Sequence, residues 1–287
     1  MTLAFRPRGS LESMLCNVSV LILTKNEEAD LPGCLESVAW CNDVWVLDSE
    51  SHDKTVDVAR AYGAHVHVRP FDGFASQRNF GLHQLAFKHD WLLILDADER
   101  VTKHLAAEIH SVIKTAPPEA AAGRLQRRDY FMRRWLKHAQ ISPYFIRLVR
   151  QSRVRYEREV NEVMMVDGEI ISLSEHLDHF PFSKGLTHWI AKHNVYSSME
   201  AVQLRNRLST PASLRSALFE RDFNVRRKHQ KALFYRLPCR PFLKFGYMMI
   251  VRRAFLDGVP GINYTFLQCF YEYLISLKEL EYTPESR

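Results

Sequence analysis

The stretch Trp91-Leu92-Leu93-Ile94-Leu95-Asp96-Ala97-Asp98-Glu99 indicates how this chain is organised. Its five consecutive apolar residues are typical of a strand that is buried on both faces, as in a parallel sheet. Three carboxylates follow within four residues, and their mutual repulsion favours a bound divalent cation that takes oxygen ligands. The alternative is a solvated turn before a helix, where acidic residues are common.

The chain before this stretch alternates between strand and helix patterns. We predict strands at residues 18–23, 44–47 and 64–68, each followed by a segment with helical character. Strands that alternate with helices are typical of an α/β fold with a doubly wound, mostly parallel sheet.

Polar clusters follow three of these strands directly, at residues 24–28, 48–53 and 96–99. In a doubly wound sheet, ligands bind beyond the carboxyl ends of the strands. Each cluster alone is ordinary loop chemistry, but their coincidence at one edge predicts a polar ligand together with a metal.

Positive charge is concentrated towards the carboxyl end. The net charge is +6, yet residues 205–253 carry 13 Lys or Arg against two acids, so this segment is +11 and the remainder is −5. This distribution predicts a partner for that segment, such as an anionic membrane surface, and no nucleic-acid motif accompanies it. Five cysteines without a CxxC pattern favour a cytoplasmic location. We expect neither a signal peptide nor a membrane span.

Several motifs occur in the order and spacing of a known family. They are Thr24-Lys25-Asn26-Glu27-Glu28, Asp48-Ser49-Glu50-Ser51-His52-Asp53-Lys54-Thr55, Gln77-Arg78-Asn79, Asp96-Ala97-Asp98-Glu99, Pro143-Tyr144-Phe145-Ile146-Arg147-Leu148-Val149-Arg150 and, more weakly, Phe255-Leu256-Asp257-Gly258. With them the chain resembles the family 2 glycosyltransferases, and within these the branch of lipopolysaccharide-core β-1,4-glucosyltransferases. The resemblance implies a nucleotide-sugar domain of GT-A fold over residues 17–200. The charge and residue pattern beyond it predict a basic helical region over 201–287.

The resemblance also implies roles for individual residues. Thr24 and Glu28 fall where the family contacts the nucleotide, and Asp48 where a carboxylate accepts a hydrogen bond from the uracil ring. Arg78 falls where a cation meets the diphosphate, a role that suits a guanidinium. Asp96 falls where a carboxylate helps to hold the ribose and the water shell of the metal.

Metal binding and catalysis have further candidates. The resemblance places Asp98 directly on the metal, Mn²⁺ or Mg²⁺, and His179 at the position that closes the metal site, in preference to His176. An inverting transfer needs one base that takes the proton of the acceptor hydroxyl. We predict Glu162 as that base, with Glu159 as the alternative. The family branch has a His-Glu pair here, whereas this chain has Asn161 before Glu162.

Two basic, aromatic segments predict contacts with other molecules. Six Lys or Arg lie within residues 124–137 together with Tyr130, Phe131 and Trp135, which suits contact with a sugar and a phosphate, although a solvated face is the alternative. Residues 242–253 read as an amphipathic helix flanked by cations, which predicts attachment to the inner face of the cytoplasmic membrane. The alternative for this second segment is a packed helical hairpin.

The leading functional hypothesis is an inverting, metal-dependent glycosyltransferase. Its donor would be a nucleotide sugar, such as a UDP-hexose, and its acceptor a lipid-linked saccharide of the cell envelope. Spacing alone leaves a retaining transfer open. A nucleotidyltransferase is the first alternative, but the loop after the first strand lacks the glycines that hold a triphosphate. A non-catalytic, basic membrane-binding module is the second, and it leaves the strand-end carboxylates unexplained.

Overall fold

The computed structural model of the chain describes residues 17–157, 163–207 and 213–281. The strands are β1 (Val18–Thr24), β2 (Val44–Asp48), β3 (His65–Val68), β4 (Trp91–Asp96), β5 (Glu99–Val101), β6 (Ala120–Phe131), β7 (Arg134–Trp135), β8 (Phe145–Arg150), β9 (Val154–Glu157), β10 (Val163–Val166) and β11 (Glu169–His179). The helices are α1 (Leu31–Ser37), α2 (Thr55–Ala61), α3 (Phe74–Gln84), α4 (Lys103–Thr115), α5 (Gly185–Arg207), α6 (Leu214–Phe219), α7 (Phe223–Phe234), α8 (Arg240–Gly246) and α9 (Gly258–Glu281).

The described residues form two compact units. Residues 17–128 and 144–183 make up the first, and residues 129–143 and 184–281 the second. The chain therefore leaves the first unit after β6 has begun and returns to it just before β8.

The central sheet of the first unit has the strand order β3-β2-β1-β4-β8-β6-β11-β5. Strands β3, β2, β1 and β4 are parallel, as the alternation of strands and helices predicts. Beyond β4 the sheet continues with antiparallel pairs, because β8 runs against β4 and β6, and β5 runs against β11. The α/β prediction is confirmed, and the parallel arrangement holds for the half of the sheet that carries the three polar clusters.

Alternate residues of β1 and β4 supply two separate cores, one on each face of the sheet. Val20 and Ile22 pack in a core with α1 and α4, whereas Leu21 packs in a second core with α3. All three side chains are essentially inaccessible to solvent. Because successive strand residues point to opposite faces, a strand that is apolar throughout must be covered on both sides. This is the doubly wound arrangement.

The second unit is a helical assembly in which polar contacts join the helices. Lys278 of α9 donates to Asn194 Oδ1 at 2.7 Å and to Ser197 Oγ at 2.8 Å on α5. Arg240 of α8 is buried, where it pairs with Glu279 and donates to Ser276 Oγ at 2.8 Å. The contacts of Arg240 satisfy a charge that would be costly to bury alone.

The helix expected at residues 242–253 is present but displaced, because the helical run covers residues 240–251. Helix α8 ends at Gly246, a π-helical turn covers Tyr247–Val251, and Arg253 adopts a positive φ of 56° that ends the helical path. Among the described residues, no helix combines the length and the apolar character that crossing a membrane requires.

Candidate active site

The first strand-end cluster is organised around Asp48. Parallel pairing sets Thr24 of β1 beside Asp48 of β2, and the Thr24 hydroxyl donates to Asp48 Oδ2 at 2.8 Å. Ser51 donates twice, from its amide to Oδ1 at 2.8 Å and from its hydroxyl to Oδ2 at 2.6 Å. A carboxylate has about four acceptor positions, so three of those of this buried group are occupied by bonds that fix its orientation.

Reciprocal hydrogen bonds brace the loops that follow β1 and β2. Glu28 accepts from the Lys54 amide at 3.0 Å, and its own amide donates to Asp53 Oδ2 at 3.2 Å. Asn26 accepts from the His52 amide at 2.8 Å and has a positive φ of 55°. Glu28 is exposed and belongs to this brace, so it lies at the same sheet edge as Asp48.

Helix α3 carries three consecutive polar residues that contact three different parts of the site. Gln77 donates to Ser49 Oγ at 3.1 Å. Arg78 Nη2 lies 3.8 Å from Asp96 Oδ1, and its guanidinium lies over the ring of Tyr156 at 5.4 Å. Asn79 forms paired hydrogen bonds of 2.7 and 2.8 Å with the backbone of Tyr156. Arg78 and Asp96, both predicted from the sequence, are thereby brought together.

Arg147 of β8 neutralises two of the three carboxylates at the end of β4. Its Nη2 atom lies 2.6 Å from Asp96 Oδ2 and 2.5 Å from Glu99 Oε1. Glu99 is fully buried and also accepts from the Asp96 amide at 2.9 Å. A cation of the protein itself, and not only a bound metal, therefore relieves the repulsion expected from the sequence. Sequence reasoning missed this role, although an arginine between the apolar residues Ile146 and Leu148 of a strand is a signal, since a buried charge requires partners.

Burial and charge act in opposite directions on this ion-pair network. Burial would raise the pKa of Asp96, but the attraction of Arg147 and then of Arg78 outweighs it and holds the pKa well below its usual range. For Glu99 burial dominates and raises the pKa, although Arg147 acts against it. Burial would lower the pKa of Arg147, yet the two carboxylates raise it above its ordinary value. Asp96 is therefore ionised and Arg147 charged at any physiological pH.

The third carboxylate, Asp98, lies next to His179. The Nε2 atom of His179 is 3.3 Å from Asp98 Oδ2, and the two side chains are 13% and 26% exposed. Antiparallel pairing of β11 with β5 sets His179 opposite Glu99, and the Phe180 amide donates to the Asp98 carbonyl at 2.9 Å. His176 lies three residues earlier on the same strand, so its side chain points to the other face.

This pair has the spacing of two neighbouring metal ligands. Two adjacent ligands of an octahedral ion, each about 2.1 Å from the metal, lie about 3 Å apart. Within residues 17–157, 163–207 and 213–281, no three His, Cys, Asp or Glu side chains converge on a possible metal position. Asp98 and His179 are the residues that could hold an ion such as Mn²⁺ or Mg²⁺, with phosphate oxygens and water as its other ligands. The predicted base Glu162 and its alternative Glu159 lie outside the described residues.

Comparison with known proteins identifies the family. Residues 19–171 match the model of glycosyl transferase family 2. The chain belongs to glycosyl transferase family 2. This family 2 enzyme is 31% identical over 196 residues to the lipopolysaccharide core biosynthesis glycosyltransferase LpsC of Rhizobium meliloti, which covers 65% of this chain and 71% of that protein. It is 29% identical over 234 residues to an uncharacterized glycosyltransferase of Rickettsia bellii, covering 75% and 79% of the two chains.

Among solved structures, the glycosyltransferase resembles glucosyl-3-phosphoglycerate synthase of Mycobacterium tuberculosis, crystallised with Mg²⁺ and uridine diphosphate. The sequence identity is 21%, the likeness covers 42% of this chain and 48% of the other, and the TM-score is 0.34. Family membership confirms the predicted enzyme class and favours it over a nucleotidyltransferase or a non-catalytic module.

Proposed function

We propose that the enzyme transfers a hexose from a UDP-sugar to a lipid-borne saccharide, with a divalent metal and inversion at the anomeric carbon. The observation that carries this proposal is the Asp98–His179 pair, 3.3 Å apart, in which Asp98 lies just after the end of β4. Asp96 at that strand end lies 3.8 Å from Arg78 of α3. When bound there, Mg²⁺ or Mn²⁺ would neutralise charge on the leaving diphosphate.

The chain supplies the remaining donor contacts. Asp48 would accept from the ring N–H of uracil, and its hydrogen bonds to Thr24 and Ser51 hold it in place. Thr24 and Glu28 would shape the nucleotide position through the loops that they brace. Arg78 carries the charge suited to the diphosphate, and its guanidinium lies 3.8 Å from Asp96 at the end of β4. Asp96, held ionised, would accept from the ribose or from a water on the metal.

The proposed acceptor class is inferred from one relative. LpsC is named for lipopolysaccharide core biosynthesis, which favours an acceptor of that class here. In an inverting transfer, the acceptor oxygen bonds to the anomeric carbon as the diphosphate leaves, and a base takes the hydroxyl proton. Glu162 is the proposed base on sequence grounds.

A donor screen tests the proposal. We expect wild-type enzyme with Mn²⁺ and a crude glycolipid fraction to release nucleotide from UDP-sugars, and not from GDP- or dTDP-sugars. Glu162→Gln should lower acceptor-dependent release by at least about 10² because glutamine cannot accept the proton. UDP affinity, measured by calorimetry, should stay at the wild-type value.

Glu159→Gln is the matched control for this prediction and should retain near wild-type turnover. If Glu159→Gln is the inactive variant instead, the base is misassigned. If both variants remain active, the stereochemistry of the product decides between an inverting and a retaining transfer. Release from no UDP-sugar would contradict the donor assignment.

The second unit has features of a surface that attaches to anionic membranes. Phe242 and Ile250 are 79% and 77% exposed, and Val251 beside them is also exposed. Arg253 is exposed, whereas Arg240 is buried against Glu279, and Lys244 lies 3.9 Å from Glu272. Fewer cations of this segment thus face outward than its sequence suggests, and its apolar side chains carry more of the proposed attachment. Such attachment would place the enzyme on the inner face of the cytoplasmic membrane.

Vesicle flotation tests this attachment. The protein should bind vesicles with anionic lipid more tightly than neutral ones, and added salt should weaken that binding, since each nearby cation contributes about 1 kcal/mol. Phe242→Ser and Ile250→Ser should each weaken binding about 10-fold because apolar burial is lost. Ile170→Ser, an exposed apolar residue of the first unit, is the control. Equal flotation of wild type with both vesicle types would count against the proposal.

A further inference from the structure

A strained two-residue turn lies at the start of the second unit. Tyr130 pairs with Trp135 and Phe131 with Arg134, so Met132 and Arg133 alone connect β6 to β7. Both connecting residues have positive φ, 50° and 62°. Such turns favour Asn-Gly because side chains are disfavoured at positive φ. Here two long side chains occupy these positions and are exposed, which points to a use for them beyond closing the turn.

The turn belongs to residues 130–140, which we call the basic hairpin. This segment has three Lys or Arg and no acid. Arg133 and Lys137 are exposed, and Lys137 Nζ lies 5.8 Å from the ring of Trp135. Cations beside an aromatic ring suit a sugar that carries a negative group, because the ring packs on the apolar sugar face while the cations pair with the anion.

Asp257 holds the basic hairpin in place. Its carboxylate is buried, and Oδ2 accepts from the amides of His138 at 2.8 Å and Ala139 at 2.7 Å. Beside it, Arg134 donates to the Leu256 carbonyl at 3.1 Å. Gly258, with a φ of 70°, allows the tight turn that presents Asp257. The Phe255–Gly258 motif thus ends in a carboxylate that binds two neighbouring backbone amides of the hairpin.

The basic hairpin is continuous with two strands of the catalytic sheet. The chain enters it from β6 and returns through β8, and these strands pair with each other in the first unit. Strand β8 carries Arg147, which contacts Asp96 and Glu99. Covalent connection therefore links the hairpin to the strand that supports the proposed donor site.

We propose that the basic hairpin binds the acceptor, that this acceptor is a saccharide bearing phosphate or carboxylate, and that Asp257 is the positioning residue that fixes the hairpin. The inference rests on the proposed function and adds to it that the acceptor is negatively charged and which residues bind its charged group. Arg133 and Lys137 pair with the anionic group, and Trp135 contacts the sugar.

Calorimetric binding with the full-length enzyme tests this assignment independently of turnover. The probes are a deacylated, phosphorylated lipopolysaccharide core oligosaccharide, the same oligosaccharide after phosphatase treatment, and its carboxyl-reduced form, each added in the presence of UDP and Mn²⁺. Arg133→Gly removes the cation and relieves the positive φ, so the melting temperature should not fall. We expect its affinity for the probe with intact anionic groups to fall at least about 10-fold, with UDP affinity unchanged.

The modified oligosaccharides identify whether the basic hairpin binds a phosphate or a carboxylate group. If one modified oligosaccharide binds wild type and Arg133→Gly with equal affinity, the group removed from it is the group that Arg133 contacts. Arg155→Gln, which removes an exposed cation of the first unit, should bind all probes as wild type does. Unchanged affinity of Arg133→Gly for every probe, or no binding of any probe by wild type, would overturn the inference. Oligosaccharide binding without sugar transfer from any nucleotide donor would instead contradict the proposed function.

Asp257 has its own test with a conservative rescue. Asp257→Ala removes both amide contacts and should weaken oligosaccharide binding about 10-fold or more, whereas Asp257→Asn keeps an oxygen acceptor and should restore part of the affinity. UDP affinity should be the same in both variants, which a general folding defect would not allow. Wild-type oligosaccharide affinity in Asp257→Ala would remove Asp257 from the assignment.

Discussion

Replacing Arg147 with methionine is expected to lower the free energy of unfolding by about 3–5 kcal/mol. Methionine fills much of the space of the arginine stem, so the change is mainly one of charge and hydrogen bonding. Asp96 and Glu99 would lose a partner at 2.6 and 2.5 Å, and Glu99 is fully buried. A buried carboxylate without its cation must either take up a proton or stay charged at high cost.

Denaturant unfolding at neutral pH measures this loss. Arg155→Met is the matched control. The Arg155 side chain is 63% exposed and forms an ion pair of 2.9 Å with the exposed Glu157. Such a surface pair contributes about 0.2–1 kcal/mol to the free energy of unfolding. Adding Glu99→Gln to Arg147→Met should recover part of the stability, since it removes the fully buried carboxylate, which in Arg147→Met is left with Arg127, at 3.5 Å, as a cationic partner. A loss below about 1 kcal/mol for Arg147→Met would mean that the network is not a structural support of the site.

Replacing Asp98 with asparagine is expected to remove most of the metal-dependent activity. The side chain keeps its shape and contacts, but a neutral amide is a much weaker ligand for a hard cation than a carboxylate. Metal stabilisation of a developing charge supplies several kcal/mol, so turnover should fall by about 10² to 10⁴. His179→Ala should act in the same direction because it removes the other half of the pair, 3.3 Å away.

Calorimetry of UDP binding with and without Mn²⁺ separates the metal from the nucleotide contacts. In both variants the affinity gained from Mn²⁺ should fall about 10-fold or more, while metal-free UDP binding stays unchanged. His176→Ala is the control, because its side chain lies on the opposite face of β11 and should leave the Mn²⁺ effect intact. Wild-type dependence on Mn²⁺ in both Asp98→Asn and His179→Ala would place the metal elsewhere.

Local pattern was sufficient to predict half of the sheet and one side of the site. The apolar runs at β1, β2 and β4 are buried because each is covered on both faces, and their polar ends meet at one edge because parallel strands share a direction. Neighbouring parallel strands also account for the contact between Thr24 and Asp48. These features depend on residues close in sequence and on a general rule of α/β sheets.

The sequence by itself therefore determined the α/β class, the family and the polar edge where Thr24 and Asp48 meet. Only the tertiary structure decided the antiparallel half of the sheet and the contacts that it creates. Arg147 reaches Asp96 because β8 pairs with β4, and His179 reaches Asp98 because β11 pairs with β5. The physical reason is that antiparallel pairing between distant segments is set by packing, which local periodicity does not encode. For the same reason, a run of carboxylates shows that charge must be balanced but not which arginine, histidine or metal balances it.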